Sequence, residues 1–196
     1  MEYMDEKILE SRKEIERQYH TTLETGIYVD DKLITFSRVT LPDSHIQIFL
    51  PNQFIVMPDK VKAMKYPSKE APDLIVTSLD GSVNLCFNIL PVTLAAGDTK
   101  EMGTQFQTAL KNVNPSIKIE EQTETVTDGG NEISWFEFVG YTLDGQSYNR
   151  MYIVRMRNTV LHGIFNCPLK AKNQWGDIVE KCFASIEEGD FPATVV

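Results

Sequence analysis

The chain has 196 residues, enough for one substantial core and short for two. Its 42% apolar and 24% charged residues exclude a disordered chain, and no apolar run approaches the roughly 20 residues that cross a bilayer. A net charge of −9, from 28 acidic and 19 basic residues without a basic patch, argues against nucleic acid and leans slightly toward a basic partner.

The first stretch, MEYMDEKILESRKEIERQYH, sets Met4, Ile8, Ile15 and Tyr19 on a narrow helical stripe among charges. It predicts an amphipathic helix within residues 1–25, packed on the domain edge or on a partner, ahead of one domain over 26–196. The stretch has neither the apolar core nor the cleavage site of a secretory leader, so the expected location is cytoplasmic, without membrane insertion. ETGIYVDDKLITFSRVTL then reads as a short strand, a turn at Asp30 and Asp31, and a longer strand. HIQIFLP alternates, placing Ile46, Ile48 and Leu50 on one side before Pro51 ends it.

MPDKVKAMKYP predicts a short helix closed by Pro67, because proline disfavours the helical conformation at the residue before it. PDLIVTSLDGSVNLCFNILP carries an Asp-Gly between alternating residues, a hairpin signal. A loop at Asp80 and Gly81 pairs Val76 with Leu85 and Leu74 with Phe87. Asp98 followed by Glu101 suggests a capping box for a helix whose stripe is Met102, Phe106, Ala109, Leu110 and Val113. Pro115 stops that helix, and SIKIEEQTETV, the turn DGGN and two long strands follow. The last elements are the strand VLHGIFNC and a helix with Trp175, Ile178, Val179, Cys182, Phe183 and Ile186 along one side. Antiparallel runs broken by helices, without regular βαβ alternation, predict an α+β fold: a central antiparallel sheet of about six to seven strands with helices on both faces.

Reactive chemistry finds little support in these residues. Cys86, Cys167 and Cys182 are odd in number and far apart, and read as reduced, buried thiols. The bases on offer are His20, His45 and His162. His162 and Cys167 fall five apart on one strand and so point to opposite faces; His162 reads as a hydrogen-bonded sheet residue near Arg155. The acidic pairs 120–121 and 187–188 look like solvated surface, and no metal-ligand spacing or phosphate-binding loop is present. No cofactor and no catalytic residue are expected.

KYPSKEAPDLIVTSLDGSVNLCFNI, ISWFEFVGYTLDGQSYNRMYIVRMRNTVLHGIFNCP and the tryptophan-bearing last helix together resemble the PsbP-like superfamily over about residues 33–187. That group includes the photosystem II extrinsic protein P, the Ran-binding Mog protein and uncharacterised bacterial domains. The resemblance implies an α/β/α sandwich and a role in binding, one described member to a photosystem and one to a GTPase. It carries over no functional residue.

The two long strands over 131–156 supply the candidate patch. A turn at Asp144 and Gly145 pairs Phe138 with Met151 and Phe136 with Ile153 on a core face. The opposite face holds Tyr141, Tyr148, Arg150, Tyr152 and Glu137 beside Ile133, Trp135 and Met156. Either a helix covers this face or it is an exposed interaction patch, tyrosine and arginine being the residues that anchor interfaces. The function expected is a non-catalytic protein-interaction module using this aromatic and arginine face, its partner a protein of unknown identity. The alternative is a small-molecule binder or hydrolase with a cleft between sheet and helix near Cys167, Arg150 and Tyr152.

Overall fold

The computed structural model describes residues 4–67, 71–142 and 145–191. Helix α1 (Met4–Tyr19) leads into a small antiparallel sheet of β1 (Thr21–Thr22), β2 (Gly26–Val29) and β3 (Lys32–Ile34), with Asp30 taking a left-handed φ of 53° at the turn. Strands β4 (Phe36–Thr40) and β5 (Ile46–Pro51) pair next, followed by β6 (Ile55–Val56) and helix α2 (Asp59–Lys65). Then come β7 (Leu74–Thr77), β8 (Asn84–Leu90), helix α3 (Thr99–Val113) and β9 (Thr123–Val126). The long strands β10 (Glu132–Thr142), β11 (Gly145–Arg155) and β12 (Val160–Pro168) precede α4 (Lys172–Ala184) and β13 (Glu187–Glu188).

The central sheet has seven strands in the order β6-β7-β8-β12-β11-β10-β9, every neighbour antiparallel. Its side chains alternate between two layers, as the two-residue period of a strand requires. Tyr148, Tyr152, Val154, Leu161 and Phe165 face α4, whose Trp175, Ile178, Val179, Cys182 and Phe183 close one core together with Ile46, Ile48 and Leu50 of β5. Phe136, Met151, Ile153 and Val160 face α3, where Met102, Phe106 and Leu110 cover them. The α4 layer is shared by a second sheet, β13-β5-β4, so the sandwich has helix on both faces and an extra sheet on one.

The α4 core depends on a missing side chain. Gly163 of β12 lies under the Phe183 ring, and a Cβ there would overlap that ring. Phe183 can therefore drop onto the sheet and stack flat on Tyr152, with centroids 3.5 Å apart and planes within 3°.

The first hairpin keeps the expected register, Val76 opposite Leu85 and Leu74 opposite Phe87. Its loop is longer than two residues, because Ser78 N–H also donates to the Val83 carbonyl and Asp80 accepts from Ser78 and Ser82 hydroxyls. The second hairpin departs from expectation by two residues: Phe136 pairs with Met151, and pairing runs to Thr142 opposite Gly145. Asp144 lies outside the described residues. The shift leaves every residue on its expected face, since two is the period of a strand.

Other expectations are corrected by packing. Asp98 makes no side-chain cap bond to α3, and Ala109 and Val113 are exposed because the sheet covers only the Met102, Phe106 and Leu110 side. Of the segment expected as a strand over 116–126, only β9 and one bridge, Ile119 to Phe138, pair. Glu187 and Glu188 form β13 against β5 instead of a solvated pair; Glu187 accepts from Arg38 and Glu188 from the Arg157 N–H.

His162 does not pair with Arg155, which donates to the Leu94 carbonyl at 2.9 Å. Its ring is buried on the α3 face and stacks on Phe106 with centroids 4.5 Å apart; Nδ1 lies 3.2 Å from Asn88 Nδ2, and Nε2 is buried without a hydrogen-bond partner among the described residues. Burial pulls its pKa from the ordinary 6.5 down to about 4. The unfolded chain therefore binds this proton more readily than the folded one. Stability from this group is complete above pH 6.5 and declines as the pH falls toward 4, by up to about 3 kcal/mol. Urea unfolding across that window is expected to show the decline in the native chain and to lose most of it in His162→Asn.

Candidate functional site

Arg150, in the middle of β11, points at α4 and is buried, 5% exposed. A cation there is tolerable only if its donors are met and its charge is balanced. The Nε donates to Glu137 Oε1 and to the Tyr148 hydroxyl, both at 2.9 Å, and Nη2 donates again to Glu137. Nη1 donates to the Tyr152 hydroxyl at 3.2 Å and crosses to α4, reaching the Gly176 carbonyl at 3.2 Å and Glu180 at 3.0 Å. The guanidinium also lies over the Trp135 ring, 4.4 Å from its centroid.

Glu137 is the counter-charge. Tyr148 donates to it at 2.6 Å and Lys172 at 2.7 Å, besides Arg150. Burial alone would raise its pKa, but the hydrogen bonds from Lys172, Tyr148 and Arg150 prevail and hold it below the ordinary carboxylate value. Tyr148 moves upward, first by burial and then by donating to Glu137. At neutral pH Glu137 is therefore the charged acceptor and Tyr148 the neutral donor of their bond.

The five residues of the expected patch thus part ways. Tyr148, Arg150 and Tyr152 lie under α4, with Glu137 at their edge; they form a buried charge network rather than an exposed face. This corrects the expectation of a patch open to another molecule. Its cause is the helix: Lys172, Gly176 and Glu180 recur every fourth residue on one side of α4 and meet the polar half of the sheet. That spacing was visible beside the apolar stripe and is the signal that could have found them. Only Tyr141, at 73%, is exposed.

Where the cluster meets solvent, a groove of about 270 Å³ opens between the outer edge of β10 and the segment 116–120, whose Glu120 N–H donates to the Glu137 carbonyl. Glu137, Tyr148 and Lys172 line it on the polar side, Lys118 and Leu169 line it too, and the exposed Tyr141 stands at its rim. Lys118, Leu169 and Lys172 were not singled out from the sequence. The groove can offer a partner an exposed aromatic ring and lysine ammonium groups beside apolar surface.

The thiols do not join it. Cys167 is on the α4 face, opposite to His162 as expected, and burial pushes its pKa up to about 12; burial also raises Cys86 to about 11. The space near Cys167, Arg150 and Tyr152, where a cleft between sheet and helix was an alternative, is packed core.

An antiparallel seven-stranded sheet with a helix layer on each face, its last helix pinned by a buried arginine, places the chain among α+β sandwiches. The fold is PsbP-like. The cyanobacterial PsbP (CyanoP) of Synechocystis sp. PCC 6803 superposes with a TM-score of 0.60 at 12% identity, over 79% of this chain and 92% of that one. LpqN of Mycobacterium tuberculosis, described as involved in cell envelope biogenesis, gives 0.50 at 12% identity, over 86% and 97%. No protein-family model and no curated protein matches the sequence.

Removing Arg150 leaves Glu137, close to buried, with only the Tyr148 hydroxyl and the half-exposed Lys172 as partners. Arg150→Met is expected to cost about 3–5 kcal/mol, and Arg150→Met with Glu137→Met to restore most of it. Chemical denaturation of the four chains in this cycle measures the coupling; additive losses would mean that the two charges act apart.

Proposed function

We propose that the chain is a non-catalytic binding module whose contact surface is the β10 groove rather than the covered face of the sheet. The observation that carries the reading is Tyr141, 73% exposed at the rim of a groove lined by Glu137 and Lys172. An exposed tyrosine beside a concave, partly apolar surface is the kind of residue that anchors a protein contact. The polar side supports the reading too, because its carboxylate is already neutralised by two cations and its geometry is held before a partner arrives. The three unpaired thiols fit the reducing compartment expected from the sequence, the cytoplasm.

A photo-cross-linking amino acid at position 141, in cells of the source organism, is expected to give a discrete protein adduct that the same probe at exposed Thr108 on α3 does not. Equal adducts at both positions, or none at 141, would count against the groove.

A second cleft favours a small-molecule reading. It measures about 430 Å³ and is lined by Leu41, Leu74, Phe87 and Ile89, with Asp43 and Asp73 beside them. Its volume lies in the range of ligand sites, and its chemistry suits an apolar body carrying a basic group. Titration with hexylamine should move the amide signals of Leu41, Phe87 and Ile89 if this cleft binds; unmoved signals at millimolar amine would dismiss it.

A further inference from the structure

A third cleft, of about 660 Å³, lies between the end of α1, the β2–β3 turn and α4. Its volume falls in the range of small-ligand sites. The elements around it are tied to one another. Arg17 of α1 pairs with Asp31 at 2.9 Å, the Tyr28 hydroxyl donates to Glu16 at 2.9 Å, and Gln174 of α4 donates to Asp30. Ile27 of β2 and Ile178 of α4 add apolar lining.

Three polar groups of the lining are left over. Asp177 and Lys181 stand one turn apart on α4, a spacing that ordinarily favours an ion pair, yet they pair neither with each other nor with any described residue. His20 is the third. Its Nδ1 meets the Thr25 carbonyl, which can only accept, so Nδ1 carries the hydrogen and Nε2 is left as a lone-pair acceptor. The ring is set edge-on to Tyr19 and Tyr28, with centroids 5.0 and 5.7 Å away.

The charges say what fits. Arg17 and Lys181 share the lining with three carboxylates, Asp30, Asp31 and Asp177. A ligand that is only an anion meets those carboxylates, and one that is only a cation meets the two basic groups; a molecule carrying both charges satisfies each. Arg17 and Asp31 neutralise each other and Asp30 is held by Gln174, so the open positions are the Asp177 carboxylate and the Lys181 ammonium. Four residues of helix separate these two by about 6 Å along the axis. In a free amino acid the nitrogen and the carboxyl carbon are only about 2.5 Å apart; a dipeptide adds one Cα step of about 3.8 Å and spans about 6 Å.

We propose that this cleft binds a zwitterionic dipeptide, its ammonium on Asp177 with His20 Nε2 as a second acceptor, its carboxylate on Lys181, and its side chains on Ile27 and Ile178. The site is separate from the β10 groove and stands independently of that reading.

Titration of the nitrogen-15 labelled chain with alanyl-leucine tests it. The amide signals of Ile27, Asp177 and Lys181 should move and saturate while that of Tyr141 stays. N-acetyl-alanyl-leucine, which lacks the ammonium, alanyl-leucine amide, which lacks the carboxylate, and free leucine should each bind at least about tenfold more weakly. Asp177→Asn and Lys181→Met, both at exposed positions, should each weaken alanyl-leucine by a similar factor with thermal unfolding unchanged. The blocked peptides make the same test on the native chain. No saturating shift at millimolar alanyl-leucine, blocked peptides that bind as well as the free one, or variants that bind it unchanged would each overturn the site. Leucine binding as tightly as alanyl-leucine would overturn the assignment to a dipeptide.

Discussion

A single buried cation organises this fold. Arg150 sits where α4 crosses the central sheet, and its three nitrogens tie β10 through Glu137, β11 through Tyr148 and Tyr152, and α4 through the Gly176 carbonyl and Glu180. An unpaired guanidinium in that place would cost several kcal/mol, so the surrounding geometry must satisfy it in full. The alignment of α4 on the sheet follows. The apolar stripe of the helix sets how strongly it is held; the Lys172, Gly176 and Glu180 row sets where along the strands it sits. Gly163 complements this by letting Phe183 descend onto Tyr152.

The same network shapes what the surface can do. Because Glu137 is shared among Arg150, Tyr148 and Lys172, its carboxylate stays charged and in place, and the groove beyond it has a rigid polar side. Tyr141, further out on the same strand, escapes α4 and faces solvent. One strand thereby supplies both the anchor of the core and the rim of the candidate contact. The described side chains of α1, by contrast, take part in neither core.

Much of the architecture was legible in the residues. Ile46, Ile48 and Leu50 alternate and are buried as the alternation implies; Trp175, Ile178, Val179, Cys182 and Phe183 recur at helical spacing and fill the core as that spacing implies. Asp80-Gly81 gave the correct register because a loop of two or four residues centred there pairs the same residues. At Asp144-Gly145 the pairing was off by two, since an Asp-Gly pair marks a turn without saying which of its residues opens the next strand. Period two absorbed that error. Coverage was harder to read. Whether a mixed face of tyrosine and arginine meets water or a helix depends on a second element far along the chain, and the signal for it lay in polar residues of α4 usually assigned to solvent. Lys118 and Leu169 had no local signal, because only tertiary folding sets them beside β10.

The most direct test of the account is the exchange behaviour of the Arg150 side chain. In nitrogen-15 labelled protein the Arg150 Nε–H should give a resolved, slowly exchanging signal at neutral pH, shifted by its bonds to Glu137 and Tyr148. It should disappear only when α4 unfolds. A signal that exchanges as fast as those of exposed arginines in the same spectrum would show that Arg150 is open to water, and would contradict the claim that this cation pins the helix to the sheet.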